Sequence, residues 1–502
     1  MKVLFFLIFH LWVLTTFAQQ YLFGDFQRRY QLEKAIFLND EIHGLSKPIL
    51  LDSSLENSIQ EGIWSYGNFI DTSRFLVLPI VDGIFKYNST DKSFSNAIGL
   101  GAQFNYEHKD FYTQWRAGFQ MGTLSTYEHD LTHKRPYAPG IGYLNDSVNL
   151  SYRSPIVEGY ISYQPHPFIN LSTGIGKNFL GDGYRSLFLS DYASNYPFLK
   201  MESTFWKVKY INLWSLHHDL HTATYTNQKW SSLHALSYNV TKWLNLTLFE
   251  AVVWQGEDTL NKRGFDFNYL NPFVFFRPVE YGIGSSDNSF FGGGIKIKLP
   301  KKVLLYQHFI LDEFLLSEFQ NRNGWWGNKY GYQVGFRTFD LFGIDGLYSL
   351  AEWNFVRPFT YSHINSMQNY GHQNQSLAHP LEANFFEGLA ILGYQNNNLD
   401  LCIKYAFQRY GKDFQLFNFG GNMFNSYVVR DSDYGHVVGQ GNTINQHVFE
   451  LRASLLLIAM TNTKLFTQFN YRYNRAMNNS ISSSTLISLG ISSNLWQSYM
   501  DY

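Results

Sequence analysis

The chain is written in paired strands. Half-alternating runs of about ten residues, the length that crosses an outer membrane, come two by two across very short polar turns. Longer loops rich in aromatic residues, Gly and Asn separate the pairs. That rhythm is the arithmetic of a transmembrane β-barrel, with short turns on the periplasmic side and long loops outside. The clearest pair runs from Ala97 to Gly122. Ile98, Leu100, Ala102, Phe104 and Tyr106 alternate with Gly99, Gly101, Gln103, Asn105 and Glu107. After His108-Lys109-Asp110, Trp115, Ala117, Phe119 and Met121 alternate with Gln114, Arg116, Gly118 and Gln120. A soluble sandwich also alternates, but it does not need strands this long or so many of them.

Short turns are expected at His108–Asp110, Gln164–Pro167, Thr241–Lys242, Pro300–Lys302, Leu341–Gly346, Asn396–Asn398 and Thr461–Thr463. These seven hairpins, a first strand near Phe75–Tyr87 and a last near Thr485–Leu495 make sixteen strands. One strong strand, Thr204–Leu216, is left over and demands an inward partner, for which Ser186–Ser190 is the available stretch. The total becomes about eighteen, an even number, as single-chain bacterial barrels prefer. Outer loops then fall near 123–156, 217–229, 255–288, 313–329, 358–384 and 411–446, and surface function is expected there.

Composition fits. Charged residues make up only 16% of the 502, against roughly 25% in soluble proteins. Aromatics reach 18%, as the girdles at two lipid–water interfaces require. Beyond the N-terminus no run approaches the ~20 apolar residues of a membrane helix. A net charge of -1 leaves no electrostatic footprint for nucleic acid. Residues 1–18 read as a signal peptide: Lys2, an apolar core from Val3 to Leu14, and Thr16 and Ala18 before the cut. Residues 19–70 read as a periplasmic or lumen-filling segment with a short helix over Phe26–Leu38, and residues 71–502 as the barrel. Cys402, in the middle of a strand, is the single cysteine, so no intramolecular disulfide forms and closure of the barrel must hold the fold.

Few motifs carry chemistry. Gly181, Gly183, Tyr184, Arg185, Ser190 and Asp191 belong to the most distinctive segment, Gly176–Asp191. A phosphate loop needs Lys and Ser or Thr directly after its last Gly, and a helix to follow. Here Tyr184 and a strand-like run follow, so the glycines serve a sharp turn or a close backbone approach, and Arg185 is left to pair with a lumenal carboxylate. His217, His218 and His221 have metal-ligand spacing only on a helix, and they fall in an expected loop. Asp431, Asp433 and Gly435 resemble half of a calcium loop without its distal Glu. No signature of a metalloprotease, serine hydrolase or paired-Cys site is present. Trp325, Trp326 and Tyr330 sit among Gly and Asn in an outer loop, where flat rings flanked by amides suit sugars; the competing reading is an interfacial girdle. Arg277 and Glu280, in the aromatic run Phe273–Tyr281, are read as a pair.

The run from Gly181 through Gly183-Tyr184-Arg185-Ser186-Leu187-Phe188-Leu189-Ser190-Asp191, followed by Asn195-x-Pro197, resembles the capsule-assembly (Wzi-like) outer-membrane barrels, in particular their gliding-motility-associated RemB members. Asn271-Pro272-Phe273, Arg277-Pro278-x-Glu280 and His43-Gly44-x-Ser46-Lys47-Pro48 fit the same pattern. The resemblance implies an eighteen-stranded barrel, plugged or narrow, with a periplasmic N-terminal segment and no enzymatic activity. It also implies a role with surface polysaccharide or the gliding apparatus. The expectation is a monomeric outer-membrane protein, without cofactor or metal, that acts by non-covalent binding. Its partners are outer-membrane lipid and either surface polysaccharide or motility and adhesion proteins, with no nucleic acid. A transport pore and a barrel-rim hydrolase are the alternatives.

Overall fold

In the computed structural model the described residues are 26–40, 42–49, 73–125, 128, 137–138, 142–143, 151–222, 225–256, 264–272, 287–414, 417–459, 461–493 and 501. The signal-peptide reading and the expected Arg277–Glu280 pair lie outside them.

Eighteen antiparallel strands close into one barrel. They are β1 (Ser73–Asn88), β2 (Ser93–His108), β3 (Phe111–Thr123), β4 (Ser151–His166), β5 (Ile169–Gly176) and β6 (Tyr196–Phe205). Next come β7 (Val208–Thr222), β8 (Tyr225–Asn239), β9 (Leu244–Gln255), β10 (Asn288–Leu299), β11 (Val303–Leu311) and β12 (Tyr330–Thr338). The last six are β13 (Leu347–Val356), β14 (Phe385–Gln395), β15 (Leu399–Lys412), β16 (Asn442–Ile458), β17 (Thr463–Ala476) and β18 (Ile481–Ser492). Each strand pairs with the next, and β18 returns to β1 from Gly83↔Ile491 to Asn88↔Leu486, so no edge is left open. Among the described residues no helix is long and apolar enough to cross a membrane; the strands do the crossing.

The alternation sets two environments. Ile98, Leu100, Phe119, Met121, Leu246, Leu248, Val334 and Phe336 are exposed on the outer wall, where lipid receives them. Gln103, Arg116, Thr247 and Gln333, one residue out of phase, face the lumen. One in-register row breaks the apolar belt: Asn212, His234 and Glu250 share the outward face of β7–β9, and all three are buried.

All seven expected short turns are found at one end of the barrel, between consecutive strands. Two expectations are corrected. The strand expected over Thr204–Leu216 begins only at Val208, and its inward partner is not Ser186–Ser190 but β6, which ends in Thr204 and Phe205 and joins β7 by a tight turn at Trp206-Lys207. Lys200 and Glu202 disguised it, because a strand lining a polar lumen carries charge at alternate positions. The loop expected over 217–229 is strand instead: β7 runs to Thr222 and β8 restarts at Tyr225. The last strand ends at Ser492.

Helix α1 (Phe26–Leu38) lies at the short-turn end. There Tyr30 stacks on Tyr348 at 4.5 Å between ring centres and donates to Asp340 at 3.0 Å. Lys34 bonds the same carboxylate at 2.8 Å.

Candidate functional site: the plugged lumen and the outer cap

The lumen is filled by the chain itself. The connection between β5 and β6, residues 177–195, turns down from the outer rim into the barrel. Tyr184 through Ser190 are all buried. From the opposite mouth residues 43–49 rise to meet it. Ser46 and Lys47 pair as a short antiparallel ladder with Leu180 and Phe179, and the amide of Gly181 donates to Leu45 O at 2.9 Å. Asp501 is a third buried contributor.

The descending segment has two chemical faces. Leu187, Phe188 and Leu189 pack with Leu213, Leu233, Phe249 and Val253 of the β7–β9 wall, and Phe188 stacks on Phe249 at 4.6 Å. Tyr184 and Arg185 meet an acidic wall instead. Glu352 on β13 accepts the amides of Tyr184 (2.8 Å) and Arg185 (3.2 Å) and the hydroxyl of Tyr306 (2.8 Å). Only glycine fits before that pair, since a Cβ on Gly183 would stand 2.3 Å from Glu352 Oε2. Gly181 also holds a φ of +151°, a region that suits glycine.

The Arg185 guanidinium bonds Glu387 on β14 through Nη2 (3.1 Å) and Nε (3.3 Å), and pairs with Asp501 at 3.1 Å. Glu387 also takes His379 (2.7 Å), Gln408 (2.8 Å) and Asn354 (3.0 Å). Asp501 takes Lys404 and the Tyr184 hydroxyl, each at 2.7 Å. Against the desolvation that would raise it, the Arg185 and Lys404 charges hold the Asp501 carboxyl down at about 2. Below, Asp182 joins Lys296 (2.7 Å) and His308 (3.1 Å) and is held low by both, while Glu33 joins Lys47 (2.8 Å) and Arg337 (3.0 Å). Buried charges persist only when paired and hydrogen-bonded in this way.

Above the plug, three outer loops form a cap. Residues 357–384 reach inward: Tyr361 and Tyr370 donate their hydroxyls to Leu187 O (2.8 Å) and Phe188 O (2.7 Å). Ser190 donates its amide to Leu377 O at 2.7 Å and its hydroxyl to Ala378 O. Asp191 is half-buried, with its carbonyl accepting Lys177 Nζ at 3.0 Å. Lys329, fully buried, binds Asp312 (3.0 Å), Glu313 (3.1 Å) and Ser362 O (3.1 Å), which joins the 312–329 loop to the 357–384 loop. Segment 323–326 pairs with 433–436 of the third loop: Trp326 N donates to Asp433 O (3.0 Å) and Gly435 N to Asn323 O (2.8 Å).

The structure separates the three aromatic candidates. Trp326 is half-buried, with Arg430 4.2 Å over its ring and Tyr427 tilted against it at 4.6 Å. Trp325 is half-buried beside it, 5.8 Å between ring centres. Tyr330 turns to the outer wall, where Phe314, Phe319 and Phe355 surround it. Asp433 is occupied by Arg430 at 2.6 and 2.7 Å, and among the described residues no cluster of His, Cys, Asp or Glu could hold a metal ion. His217 points into the lumen and bonds Ser231 at 2.9 Å, while His218 donates its amide to His372 at 3.1 Å. The side chain of His221 lies outside the described residues. Sequence reading missed the acid wall, because Glu352, Glu387, Lys404 and Asp501 are far apart in the chain. The signal available for Glu352, Glu387 and Lys404 was their inward phase on strands; Asp501 lies on none.

No family model and no curated protein matches this sequence. Among solved structures, the chain resembles Wzi of Escherichia coli, an outer-membrane protein involved in group 1 capsule assembly and characterised as a carbohydrate-binding β-barrel. Identity is 12%, covering 96% of this chain and 99% of Wzi, with a TM-score of 0.57. Pseudomonas aeruginosa OpdK, solved with vanillate, aligns at 10% identity over 84% of this chain and 99% of its own, with a TM-score of 0.47. OccK7 (OpdD) of the same organism aligns at 8% identity over 84% and 98%, with a TM-score of 0.44. The likeness to Wzi is one of fold, and the chain is an outer-membrane β-barrel.

Proposed function

We propose that this barrel is a surface binding and assembly factor for polysaccharide, acting by non-covalent contacts at its outer cap. The observation that carries the reading is the filled lumen. A transport pore needs a water-filled path with a polar constriction, whereas here three stretches of the chain meet inside the barrel, 46–47 pairing with 179–180 and Arg185 with Asp501, while Glu387 of the wall takes the same guanidinium. Function is thereby displaced to the outer face. The fold shared with Wzi, itself a carbohydrate binder, supports the same reading.

On the cap, Trp325 and Trp326 with Arg430 offer the surface best suited to sugars: half-buried indoles held rigid by backbone bonds, with a guanidinium locked against Asp433. Tyr330 belongs with the lipid-side aromatics and anchors the loop rather than touching ligand. The related roles implied by the sequence resemblance, adhesion or gliding motility, would use this same face with a protein or surface sugar as partner. The gating experiment is saturable binding of polysaccharide from the producing cells to detergent-purified protein, beside a Trp325→Ala/Trp326→Ala variant. Binding lost in the variant supports the site. Binding retained moves it elsewhere on the cap. No binding together with steady single-channel conductance would replace the reading with the pore.

A further inference from the structure

Two outer loops turn outward over the rim and lie on the lipid-facing wall. Residues 264–270 drape across β7–β9. Tyr269 O accepts Trp214 Nε1 at 2.8 Å and Ser232 Oγ at 2.9 Å, and both donors stand on the outward face. Tyr269 packs on Trp254 at 4.7 Å, and Gly264 O accepts Trp254 Nε1 at 3.3 Å. Phe265 meets Trp230 edge-on at 5.1 Å. The second loop carries a short helix, Leu316–Asn321, whose Phe319, together with Phe314, packs on Tyr330 of the outer wall.

Both loops then expose apolar side chains away from the protein. Phe267 is 78% exposed and Leu316 is 58% exposed. Leu270, Phe314, Leu315 and Phe319 are exposed as well. Scattered single apolar residues on a surface need no explanation, but clusters on loops do. The second cluster is continuous with the lipid belt, since Tyr330 stands at the head of the outward column Tyr332, Val334 and Phe336; on β9 Trp254 shares the outward face with Leu246 and Leu248, above the buried Glu250 that interrupts that column. Trp254 is the tenth residue beyond Leu244 at the short-turn end of its strand, and about ten residues of tilted strand span the membrane. The draped loop therefore sits at the level of the outer lipid–water boundary, where aromatic side chains partition.

We propose that residues 265–270 and 314–319 are two interfacial anchors that insert into the acyl–headgroup boundary of the outer leaflet. The occupant of these apolar faces is lipid. The anchors lie on separate parts of the wall, β7–β9 and β12–β13, so together they fix the cap relative to the membrane surface, while Lys329 carries that constraint into the sugar-facing side of the second loop.

The test uses the full chain in phosphatidylcholine–phosphatidylglycerol vesicles, with Cys402→Ala removing the native thiol. Nitroxide labels are placed at Phe267→Cys and Leu316→Cys, with Val437→Cys on the cap as the aqueous control. Collision rates with oxygen and with a neutral nickel chelate are then compared. The expected result is an oxygen-to-nickel ratio at 267 and 316 at least about threefold above that at 437, because oxygen concentrates in lipid and the chelate is excluded from it. Ratios at both positions equal to that at 437 would overturn the proposal. If either labelled variant fails to show the heat-dependent gel shift of a folded barrel, Leu270→Cys and Phe319→Cys replace it under the same criterion.

Discussion

Arg185→Ala gives the sharpest test of how the plug is held. The side chain makes two bonds to Glu387 and pairs with Asp501, and it also donates to Asp501 O at 3.1 Å. Removing one member of a buried ion pair costs about 3–5 kcal/mol, because the charge left behind is uncompensated. Here the abandoned groups are not stranded. Glu387 keeps His379, Gln408 and Asn354, and Asp501 keeps Lys404 and Tyr184. The low end therefore applies, about 3 kcal/mol, which is roughly a 150-fold increase in local opening. Native-state hydrogen exchange read by mass spectrometry measures that opening directly for peptides spanning 178–190. The double variant with Glu387→Ala should show strong coupling, since the two residues touch. Exchange in the single variant within twofold of the parent would refute the claim that this cluster seats the plug.

Gly183→Ala should loosen the same peptides even with every charge intact, because its Cβ collides with Glu352. Gly176→Ala, where nothing lies nearer than 3.6 Å, should leave exchange unchanged. Stability should fall on acidification through three buried histidines outside the barrel strands. Burial lowers His43 to about 3, His363 to about 4 and His372 to about 3. The stabilisation is fully present above the unfolded value near 6.5 and is lost as the pH drops toward 4, because the unfolded chain then takes up protons that the folded one refuses. Three such groups give a slope approaching about 4 kcal/mol per pH unit in that window, and thermal unfolding between pH 7 and 4.5 reads it. Purified parent protein should show no steady conductance in planar bilayers, and frequent long openings would contradict a filled lumen.

How much was legible follows from which contacts are local. Strand pairs such as Ala97–Gly122 announce themselves because lipid imposes strict alternation on one face and a short turn fixes the register. β6 did not, since Lys200 and Glu202 replace the apolar residues by which a strand is recognised, and the lumen that tolerates them exists only after closure. His217 read as loop for the same reason: two histidines and an aspartate in a row look solvated until Ser231 meets His217, and Lys229 and Asn369 meet Asp219, inside the barrel. The glycines of 181–183 signalled a close approach, but their partner, Glu352, stands 169 residues from Gly183 in the sequence. The two tryptophans were visible as a candidate surface. That Arg430 covers one of them depends on loop pairing that no local pattern encodes.

The plug also constrains the order in which the barrel can form. Its three contributors come from before the first strand, from between β5 and β6, and from beyond the last; the first meets the second by a backbone ladder and the third by the Arg185–Asp501 pair. Arg185 cannot be neutralised until β14, which carries Glu387, is in place; Asp501 then joins Arg185 to Lys404, which also pairs with Glu450 on β16. A descending segment that entered a half-built barrel would bury a guanidinium beside no carboxylate, which is strongly unfavourable. The apolar face of the same segment has its partners earlier, on β7–β9. Docking should therefore proceed in two steps: Leu187-Phe188-Leu189 against the first-formed wall, then Tyr184 and Arg185 as β13–β15 complete the far side. Pulsed hydrogen exchange during refolding into detergent tests this, since amides near Phe188 should gain protection before those of Tyr184 and Arg185, and simultaneous protection would favour insertion of the segment into a finished barrel.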